Sequence, residues 1–422
     1  MKKIVIATMG SRGDVEPYVG LGIELQKLGY EVVISAPIVY RELVDTNHLT
    51  FRELKAVNPQ EMMKIPEVEN QFAKGNMVAA IIVLLKNAKT VIRKYLEEVY
   101  NNMQGADLIV LSMVPYGAMD AAEKQKIPTV YTLLNPAVPT RRFPSVVAPG
   151  IPKVFNYLSH ILLEWGFYIA FKKQLNKLRK EKWGLPKIKR CPIWSERKNG
   201  MKTLLAYSNA FIPKPDDWTA NEKITGFWKI DNSANYTPDK DLENFLSVQG
   251  EKPFYIGFGS MPIDDVTHFI EMVEEALNII NGRALVYLSY NIDKIPVHSE
   301  RIFIVKNIPH SWLFDQVSAT IIHGGVGTCR ASISARKPTF VVPFMGDQKF
   351  WGLQIYKLGL GPKPVKYNKL SAKLLAEKLI ELKLERYLKR AKSIQMQLMQ
   401  ENGAKIAAYE IDKISREKES SN

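Results

Sequence analysis

Short apolar segments alternate with helical segments along most of this chain, and no other feature constrains its fold so strongly. In the first third, Ile4–Thr8, Glu31–Ser35, Leu108–Ser112 and Thr129–Leu133 are short and apolar, and helical patterns such as Tyr18–Leu28 separate them. Strands of a parallel sheet that is covered by helices on both faces have this character, because neither face of the sheet meets water. The first third therefore predicts a doubly wound α/β domain.

The same alternation begins again after a polar, turn-rich segment. Further apolar strands are predicted at Pro253–Gly257, Ala284–Leu288, Ile302–Val305, Ala319–Ile322 and Thr339–Pro343. A chain of 422 residues is also too long for one ordinary core. We predict two doubly wound, Rossmann-like α/β domains that face each other across a cleft, since ligands of such sheets bind beyond the carboxyl ends of the strands. The predicted divisions are a first domain over 1–228, a linker over 229–241, a second domain over 242–400 and a helical segment over 401–422.

Cysteine content and the first residues indicate a cellular compartment. Cys191 and Cys329 lie far apart in sequence, which argues against a disulfide framework and fits a reducing cytoplasm. The apolar run that begins at Ile4 is too short for a signal peptide and predicts a first strand. Because the sequence has no apolar run long enough to span a bilayer, we expect a cytoplasmic protein.

The net charge of +15 is concentrated in one region. Segment 172–202 contains 12 Lys or Arg residues against Glu181 and Glu196, and the apolar, helical segment Val154–Phe171 precedes it. This combination is typical of a core-facing helix followed by a solvated basic turn. It is also typical of peripheral contact with an anionic membrane, here on its inner face. Aromatic residues are not interleaved with the basic ones, so nucleic acid is not expected as a partner.

A glycine-rich turn follows the predicted strand Ala319–Ile322 and opens a helix. Glycines let backbone amides approach an anion, and the helix N-terminus adds partial positive charge. An imidazole at the start of the turn can donate a hydrogen bond to a phosphate, and a threonine can act as N-cap and also turn its hydroxyl to the ligand. The residues predicted to bind phosphate are His323, Gly324, Gly325, Gly327 and Thr328. A tight strand–helix joint without any ligand is the alternative.

A second turn of the same kind follows the predicted strand Pro253–Gly257. It contains Gly259 and Ser260, which we also assign to phosphate binding. Two such turns in one domain suit a diphosphate.

Two other strand ends carry polar or aromatic residues. Asp347 and Gln348 follow Thr339–Pro343 and can exchange hydrogen bonds with the vicinal hydroxyls of a hexose, or they can simply cap the next helix. Ile308, Pro309 and Trp312 follow Ile302–Val305 and can hold the edge and face of a nucleobase. On spacing alone, Trp312 fits the core better.

The loop between the first strand and the first helix carries Ser11, Arg12 and Asp14. Its glycines permit a tight turn that places Asp14 at the predicted cleft, where it can take the proton from an attacking hydroxyl. Ser11 and Arg12 are predicted to lie near the donor phosphates. Asp14 can alternatively cap the following helix, and Glu16 is a rival carboxylate at the same end.

No metal site is predicted. The one Asp-x-Asp pattern, Asp239–Asp241, precedes a helical segment, where acidic residues are expected, and the six histidines lack metal-ligand spacing. Without a metal, a leaving diphosphate would be stabilised by backbone amides, His323 and hydroxyl groups.

Two loops of the first domain are apolar, aromatic and stiffened by proline. They contain Tyr116, Pro136 and Phe143, which we predict to bind a flat or lipid-like acceptor. They can equally be ordinary rigid loops.

The order of these motifs resembles the UDP-sugar-dependent glycosyltransferases of family 1 with the GT-B fold, in the branch of the sterol glucosyltransferases and the glycopeptide-antibiotic glycosyltransferases. The resemblance covers most of Met1–Pro364. The matching segments are Gly10–Pro17, Phe258–Met261, Pro309–Phe314, His323–Thr328, Pro343–Gly352 and Leu358–Pro362.

The resemblance implies inversion at the anomeric carbon, no metal or other cofactor, a UDP-sugar held mainly by the second domain, and a last helix that crosses back to the first domain. By position, Asp14 matches the base of this branch, His323 and the following glycines match the diphosphate contacts, and Asp347 with Gln348 match the sugar contacts. The chain departs from the plant-type pattern at Val326, Gly327, Ala331 and Asn307, and from its own branch at Glu16. The identity of the nucleotide base is therefore left open.

We accordingly expect an inverting enzyme that transfers a hexose, with glucose from UDP-glucose as the leading choice, to a hydroxyl of a lipophilic acceptor. Sterols, terpenoids, carotenoids, glycolipids and polyphenols all fit the predicted acceptor pocket. Two alternatives are a non-catalytic protein that binds a sugar nucleotide and a sugar-nucleotide epimerase of the same architecture.

Overall fold

The structure is a computed structural model that describes residues 1–56, 65–73, 77–112, 116–230, 236–261, 263, 265–289, 299–306 and 308–419. Within these residues the strands are β1 Lys3–Ala7, β2 Glu31–Ala36, β3 Thr50–Glu53, β4 Leu108–Leu111, β5 Thr129–Leu133, β6 Thr203–Leu205, β7 Glu222–Ile224, β8 Phe254–Gly257, β9 Ala284–Tyr287, β10 Ile302–Val305, β11 Thr320–Ile322 and β12 Thr339–Val341.

The helices of the described residues alternate with these strands. They are α1 Arg12–Lys27, α2 Arg41–Asp45, α3 Pro66–Ala73, α4 Met77–Asn102, α5 Tyr116–Gln125, α6 Asn156–Leu178, α7 Pro192–Lys198, α8 Lys240–Ser247, α9 Val266–Ile280, α10 His310–Leu313, α11 Val326–Ser334, α12 Gln348–Lys357, α13 Ala372–Leu382, α14 Glu385–Met399 and α15 Gly403–Glu419. No helix among the described residues is both long and apolar enough to cross a membrane.

The chain forms two compact units. The first comprises residues 1–230 and 401–422, and the second comprises residues 231–400. Positions 231–235 of the predicted linker lie outside the described residues.

The first unit contains a seven-stranded parallel sheet in the order β3-β2-β1-β4-β5-β6-β7. The central strand β1 pairs with β2 on one side and β4 on the other, and Ile4, Val5 and Ile6 have no exposed surface. Such continuous burial explains why the strands are apolar throughout rather than alternating. The strand order changes direction between β1 and β4, so the crevice for a ligand is expected at the carboxyl end of β1.

The second unit contains a five-stranded parallel sheet in the order β10-β9-β8-β11-β12. Its strand order changes direction between β8 and β11, which pair directly through Ile322 and Gly257. The prediction of doubly wound α/β sheets is confirmed in both units. In this unit the crevice lies beyond the carboxyl ends of β8 and β11.

The last helix packs on the first unit. Ala404, Ala407, Ala408 and Ile411 of α15 are buried in the same core as α1 and β1. A hydrogen bond from the hydroxyl of Tyr30 to Asp412 Oδ1 (2.7 Å) fixes the helix further. The prediction that the C-terminal helix returns to the first domain is therefore confirmed.

The start of α1 differs from the prediction. The sequence pattern predicts a helix from Tyr18 and a loop before it, whereas α1 begins at Arg12 and contains Pro17. Pro17 is the sixth residue of α1 and removes one intrahelical hydrogen bond, which the rest of the helix tolerates. As a result Asp14 lies in the first helical turn rather than in a loop.

Candidate functional site

The two predicted phosphate-binding turns lie side by side in the second unit. They follow β8 and β11, the two neighbouring strands at the switch point of the sheet. A β-carbon at Gly259 would lie 3.0 Å from His323 Cε1, and one at Gly325 would lie 2.5 Å from His323 Nε2. The imidazole of His323 is thus enclosed between the two turns, and glycine is needed on both sides of it.

The surroundings of His323 favour the neutral form of its imidazole. Its Nδ1 atom is buried and lacks a hydrogen-bond partner among the described residues. Burial, and to a smaller extent the electrostatic interaction with nearby His310, lowers the pKa of His323 to about 4. A buried polar atom without a partner costs free energy, so this geometry favours a ligand that supplies charge or a hydrogen bond to the ring.

The helix that follows the turn presents its N-terminus at the same place. Gly325 is the N-cap of α11, and the first helical hydrogen bond runs from Cys329 N to Gly325 O (2.9 Å). The backbone N–H groups of Val326, Gly327 and Thr328 therefore precede the first intrahelical donor and can point at an anion. The expectation that Thr328 is the N-cap is wrong, because the helix begins two residues before Thr328. Its hydroxyl nevertheless lies in the first turn.

The glycines of this turn have different physical requirements. Gly324 has φ +98°, and a β-carbon there would lie 2.6 Å from Val341 Cγ1 and 2.8 Å from Gln348 O. Gly327 is exposed, and a β-carbon there would meet nothing within 4 Å. Packing and the positive φ explain Gly324, whereas no contact within the described residues requires a glycine at position 327.

The loop after β8 contributes backbone rather than a helix end. Gly259 has φ +62° and Ser260 is exposed. The following helix α9 is capped by Asp265, whose carboxylate accepts a hydrogen bond from His268 N (2.9 Å). An acidic cap already satisfies that N-terminus, so α11 is the better of the two helices for an anion.

Asp347 and Gln348 are both tied into the protein. Asp347 is the N-cap of α12, and its Oδ2 accepts a hydrogen bond from the indole of buried Trp351 (2.9 Å). Gln348 is 5% exposed, and its Oε1 accepts hydrogen bonds from Phe344 N (2.7 Å) and Met345 N (2.9 Å). Its Nε2 donates to Met261 Sδ (3.1 Å). Gln348 therefore holds the loop after β12, and the sugar contacts predicted for both residues stay a prediction.

The predicted nucleobase site lies at the edge strand β10. Pro309 is the N-cap of the short helix α10, which contains Trp312. The Trp312 ring is partly exposed and lies 4.9 Å from the ring of Tyr236, centroid to centroid. Trp312 is thus not a fully buried core residue, although Ile308, Pro309 and Trp312 remain predicted contacts. Asn307 lies outside the described residues.

In the first unit, Asp14 and Ser11 form a compact pair at the end of β1. Asp14 Oδ2 accepts hydrogen bonds from Ser11 N and from Ser11 Oγ, both at 2.8 Å. This arrangement is a capping box, so Asp14 does cap α1, as the alternative interpretation proposed. Burial raises the pKa of Asp14 above its usual value, and the two bonds from Ser11 oppose the increase. A partly buried carboxylate with a raised pKa is also suited to act as a base.

Two residues that the sequence did not indicate support this pair. Buried Thr8 donates a hydrogen bond to Asp14 O (2.9 Å), and the Tyr40 hydroxyl donates to Gly10 O (2.9 Å). Gly10 has φ +129°, and a β-carbon there would lie 2.5 Å from Asp14 Oδ2. Thr8 could have been suspected from the sequence, because it is a polar residue at the end of a predicted strand. Tyr40 lies 30 positions from Gly10, and no sequence pattern near it indicates this contact.

Arg12 and Glu16 pair with each other. Arg12 Nε lies 2.7 Å from Glu16 Oε2 on the exposed side of α1. Glu16 is therefore a weaker candidate for the base than Asp14, since its carboxylate already faces a cation. The predicted contact of Arg12 with the donor phosphates stays a prediction.

Two of the predicted acceptor residues are buried. Phe143 is 8% exposed and packs edge-on against the rings of His160 and Trp218, and Pro136 is also buried. Their contact with an acceptor stays a prediction. Tyr116 begins α5, and residues 113–115 before it lie outside the described residues.

The described residues contain no group of three or more histidine, cysteine or acidic side chains that could hold a metal ion. Asp239, from the Asp-x-Asp pattern, is the N-cap of α8 and accepts a hydrogen bond from Leu242 N (2.8 Å). Its helix-capping role accounts for the pattern.

Comparison with known proteins identifies relatives of the chain. Residues 4–144 match the glycosyltransferase family 28 N-terminal domain. The chain is 30% identical over 387 residues to the sterol 3-beta-glucosyltransferase UGT80B1 of Arabidopsis thaliana, with 89% of this chain and 62% of the relative covered. It is 31% identical over 449 residues to the UDP-sugar-dependent glycosyltransferase 52 of Dictyostelium discoideum, with 96% of this chain and 26% of the relative covered. The chain thus spans less than two thirds of the length of either relative.

Solved structures share the fold. The calicheamicin glycosyltransferase CalG4 matches with a TM-score of 0.72 at 15% identity, over 98% of both chains. The spinosyn rhamnosyltransferase SpnG, complexed with thymidine diphosphate, matches with a TM-score of 0.65 at 11% identity, over 98% of this chain and 100% of that chain. These findings confirm the GT-B fold and the predicted resemblance. The chain is similar to sterol 3-beta-glucosyltransferases over most of its own length.

Proposed function

We propose that the chain is a glycosyltransferase that moves a sugar from a nucleoside diphosphate to a hydroxyl group of a sterol-like acceptor. In finer detail, the donor is UDP-glucose and the configuration at the anomeric carbon is inverted. Similarity to sterol 3-beta-glucosyltransferases of plants and fungi supports the acceptor class. The turn residues described above support a diphosphate donor.

The observation that carries this proposal is the enclosure of His323 between the turns after β8 and β11. Imidazole, the amides at the start of α11 and the Thr328 hydroxyl together offer hydrogen bonds to a leaving diphosphate. Groups that are already in place need no rearrangement when the negative charge develops. This set stabilises the leaving group in the proposed reaction without a metal or any other cofactor.

Asp14 is the proposed base. The acceptor oxygen forms a bond to the anomeric carbon, the bond from that carbon to the β-phosphate oxygen breaks, and UDP leaves with the electron pair. The acceptor proton moves to the Asp14 carboxylate. Ser11 orients this carboxylate through its two hydrogen bonds, which keeps the base in one position.

Asp347 and Gln348 are proposed to bind the sugar hydroxyls. Ile308, Pro309 and Trp312 are proposed to bind the nucleobase of the donor. For Asp347 the partly exposed carboxylate can accept a hydrogen bond from a hydroxyl while Oδ2 keeps its hydrogen bond from Trp351.

We also propose a cytoplasmic location. Two buried free thiols, Cys191 and Cys329, support a reducing compartment.

A transfer assay tests the proposal. The protein is incubated with UDP-glucose, UDP-galactose or UDP-N-acetylglucosamine and a pool of sterols and other hydrophobic alcohols, and products are detected by mass. We expect a hexose adduct of a sterol with UDP-glucose. For Asp14→Asn we expect UDP binding to persist while transfer falls by about 10²–10⁴-fold, the usual contribution of a general base.

One observation favours a second candidate function. Because Asp14 caps α1, its presence does not by itself require catalysis, and a protein that only binds a sugar nucleotide would keep it. Retained UDP-glucose without any adduct would support that candidate. Conversion of the donor sugar in the absence of an acceptor would instead indicate an epimerase.

A further inference from the structure

Helix α6 buries its polar face. Asn156, His160 and Glu164, spaced four residues apart, are all buried. Asn156 Nδ2 donates to Arg141 O (3.0 Å), and His160 Nε2 lies 3.1 Å from Phe143 O. Glu164 pairs with Arg197 (2.6 Å) and accepts a hydrogen bond from the Trp194 indole (2.7 Å). These bonds fix the rotation of the helix, so the polar stripe belongs inside.

The opposite face of the helix is apolar and exposed. Val154 just before α6 and Leu158, Leu162, Trp165 and Ile169 along it recur every three or four residues, which places them on one stripe. Their exposed fractions are 80%, 47%, 54%, 48% and 48%. The sequence pattern also allowed a core-facing apolar helix, and the structure contradicts that alternative. A soluble helix ordinarily has the reverse arrangement, so this stripe marks a contact surface.

A basic groove continues the stripe. Ile169 opens a groove of about 620 Å³ that is lined by Lys172, Lys173, Asn176, Lys177, Lys180, Glu181 and Lys187. Five ammonium groups against one carboxylate make the groove a site for several negative charges. The ammonium group of Lys172 also lies over the ring of Tyr168, 5.3 Å from its centroid, and this contact holds the Lys172 side chain along the helix.

We propose that α6 lies on the surface of a bilayer that contains anionic phospholipids. The apolar stripe enters the boundary between headgroups and acyl chains, Trp165 anchors it there, and the groove binds the lipid phosphates. Interfacial helices combine an apolar face with lysines in this way, and indole rings prefer the depth of the headgroups. A protein partner would explain the stripe but not the five lysines at its end, whereas an anionic bilayer explains both. This inference goes beyond the transfer reaction and does not depend on it.

Sedimentation with vesicles tests the proposal on the full chain. Vesicles of phosphatidylcholine alone are compared with vesicles that also contain phosphatidylglycerol. We expect at least tenfold stronger partitioning onto the anionic vesicles. The first variant combines Leu162→Glu and Ile169→Glu and should lose at least tenfold, because two apolar anchors are replaced by charges. Its matched control combines Ile279→Glu and Ile380→Glu, which are 57% and 54% exposed in the second unit, and should bind like the wild type.

A second variant tests the groove without touching the apolar stripe. It combines Lys173→Gln, Lys177→Gln and Lys180→Gln, all exposed, and should lose about a hundredfold on anionic vesicles, at about fivefold for each charge. Its control combines Lys366→Gln, Lys369→Gln and Lys373→Gln, also exposed, and should lose far less.

Three outcomes would overturn the proposal. The first is equal binding of the wild type to both kinds of vesicle. The second is binding by the stripe variant and the groove variant that is as strong as that of the wild type. The third is a wild-type protein that binds no vesicles and forms a dimer, which Leu162→Glu with Ile169→Glu converts to a monomer. The last result would assign the stripe to a second copy of the chain. The variants change exposed side chains, and circular dichroism verifies that each one folds.

Discussion

Asp14 has a dual role, as a helix cap and as the proposed base, and the two roles have opposite effects on stability. A carboxyl with a folded-state pKa above its usual value contributes stability below the usual value and loses that contribution as the pH rises through the raised pKa. At neutral pH the charged carboxylate is therefore a cost to the fold. Functional residues commonly carry such a cost.

Replacement of Asp14 by asparagine should consequently stabilise the protein. The amide oxygen still accepts the hydrogen bond from Ser11 N, and the buried charge is gone. We expect the thermal midpoint at pH 7 to rise by about 2–4 °C while transfer is lost. In the wild type, kcat/KM should decrease on the acidic side as Asp14 is protonated, at a pH above that of an ordinary aspartate. A destabilised variant with normal transfer would assign Asp14 to helix capping alone.

His323 makes stability depend on pH in the other direction. Its folded-state pKa of about 4 lies below the ordinary 6.5, so the unfolded chain takes up a proton first, and stability falls as the pH decreases from 6.5 towards 4. His323→Gln removes this term. We expect the difference in unfolding free energy between wild type and variant to change by about 2–3 kcal/mol between pH 7 and pH 4.5. Urea denaturation at the two pH values measures it, and an unchanged difference would show that the imidazole is not held neutral.

The glycines of the turn after β11 allow binding to be separated from folding. Gly327→Ala adds a β-carbon in open space within a helix and should stabilise the protein by about 0.5–1 kcal/mol. The same β-carbon obstructs the proposed phosphate site, so we expect UDP affinity, measured by calorimetry, to fall at least tenfold. Gly324→Ala is the matched comparison and should destabilise the fold, because of its positive φ and its contact with Gln348 O. Unchanged UDP affinity in a folded Gly327→Ala variant would show that the diphosphate does not bind at the N-terminus of α11.

At the scale of elements, strands were more predictable than helix starts. The predicted segments Thr129–Leu133 and Ile302–Val305 coincide with β5 and β10, because strands that are buried on both faces are continuous apolar runs. The position of Pro17 did not indicate where α1 starts, because the capping box of Ser11 and Asp14 lets the helix begin before this proline. The orientation of α6 was also hidden, because an apolar stripe in a sequence does not tell whether protein or solvent faces it.

The orientation of α6 depends on one buried ion pair, and a substitution tests it. Glu164→Ala leaves Arg197 without its partner and the Trp194 indole without its acceptor, so the unfolding free energy should decrease by about 3 kcal/mol. Leu162→Ala on the exposed stripe is the control and should stay within about 0.5 kcal/mol of the wild type. If denaturation showed a larger loss of unfolding free energy for Leu162→Ala than for Glu164→Ala, the apolar stripe would be buried and the ion pair exposed.

At the scale of the whole molecule, topology accounts for what the sequence could locate. In each unit some predicted ligand residues, Asp14 in the first and His323 in the second, follow the carboxyl ends of strands at a switch point, a place that follows from the order in which strands and helices alternate. The residues that support them from a distance could not be found in this way. Tyr40 donates to Gly10 across 30 positions, and Phe143 is buried by contacts with Trp218, 75 positions later; neither pairing leaves a periodic pattern.

A crystal structure of the protein with UDP tests the proposed diphosphate site most directly. We expect the diphosphate oxygens within hydrogen-bond distance of the backbone amides of Val326, Gly327 and Thr328, with the imidazole of His323 against the same group. A diphosphate bound at any other place, with these amides and His323 left to water, would contradict it.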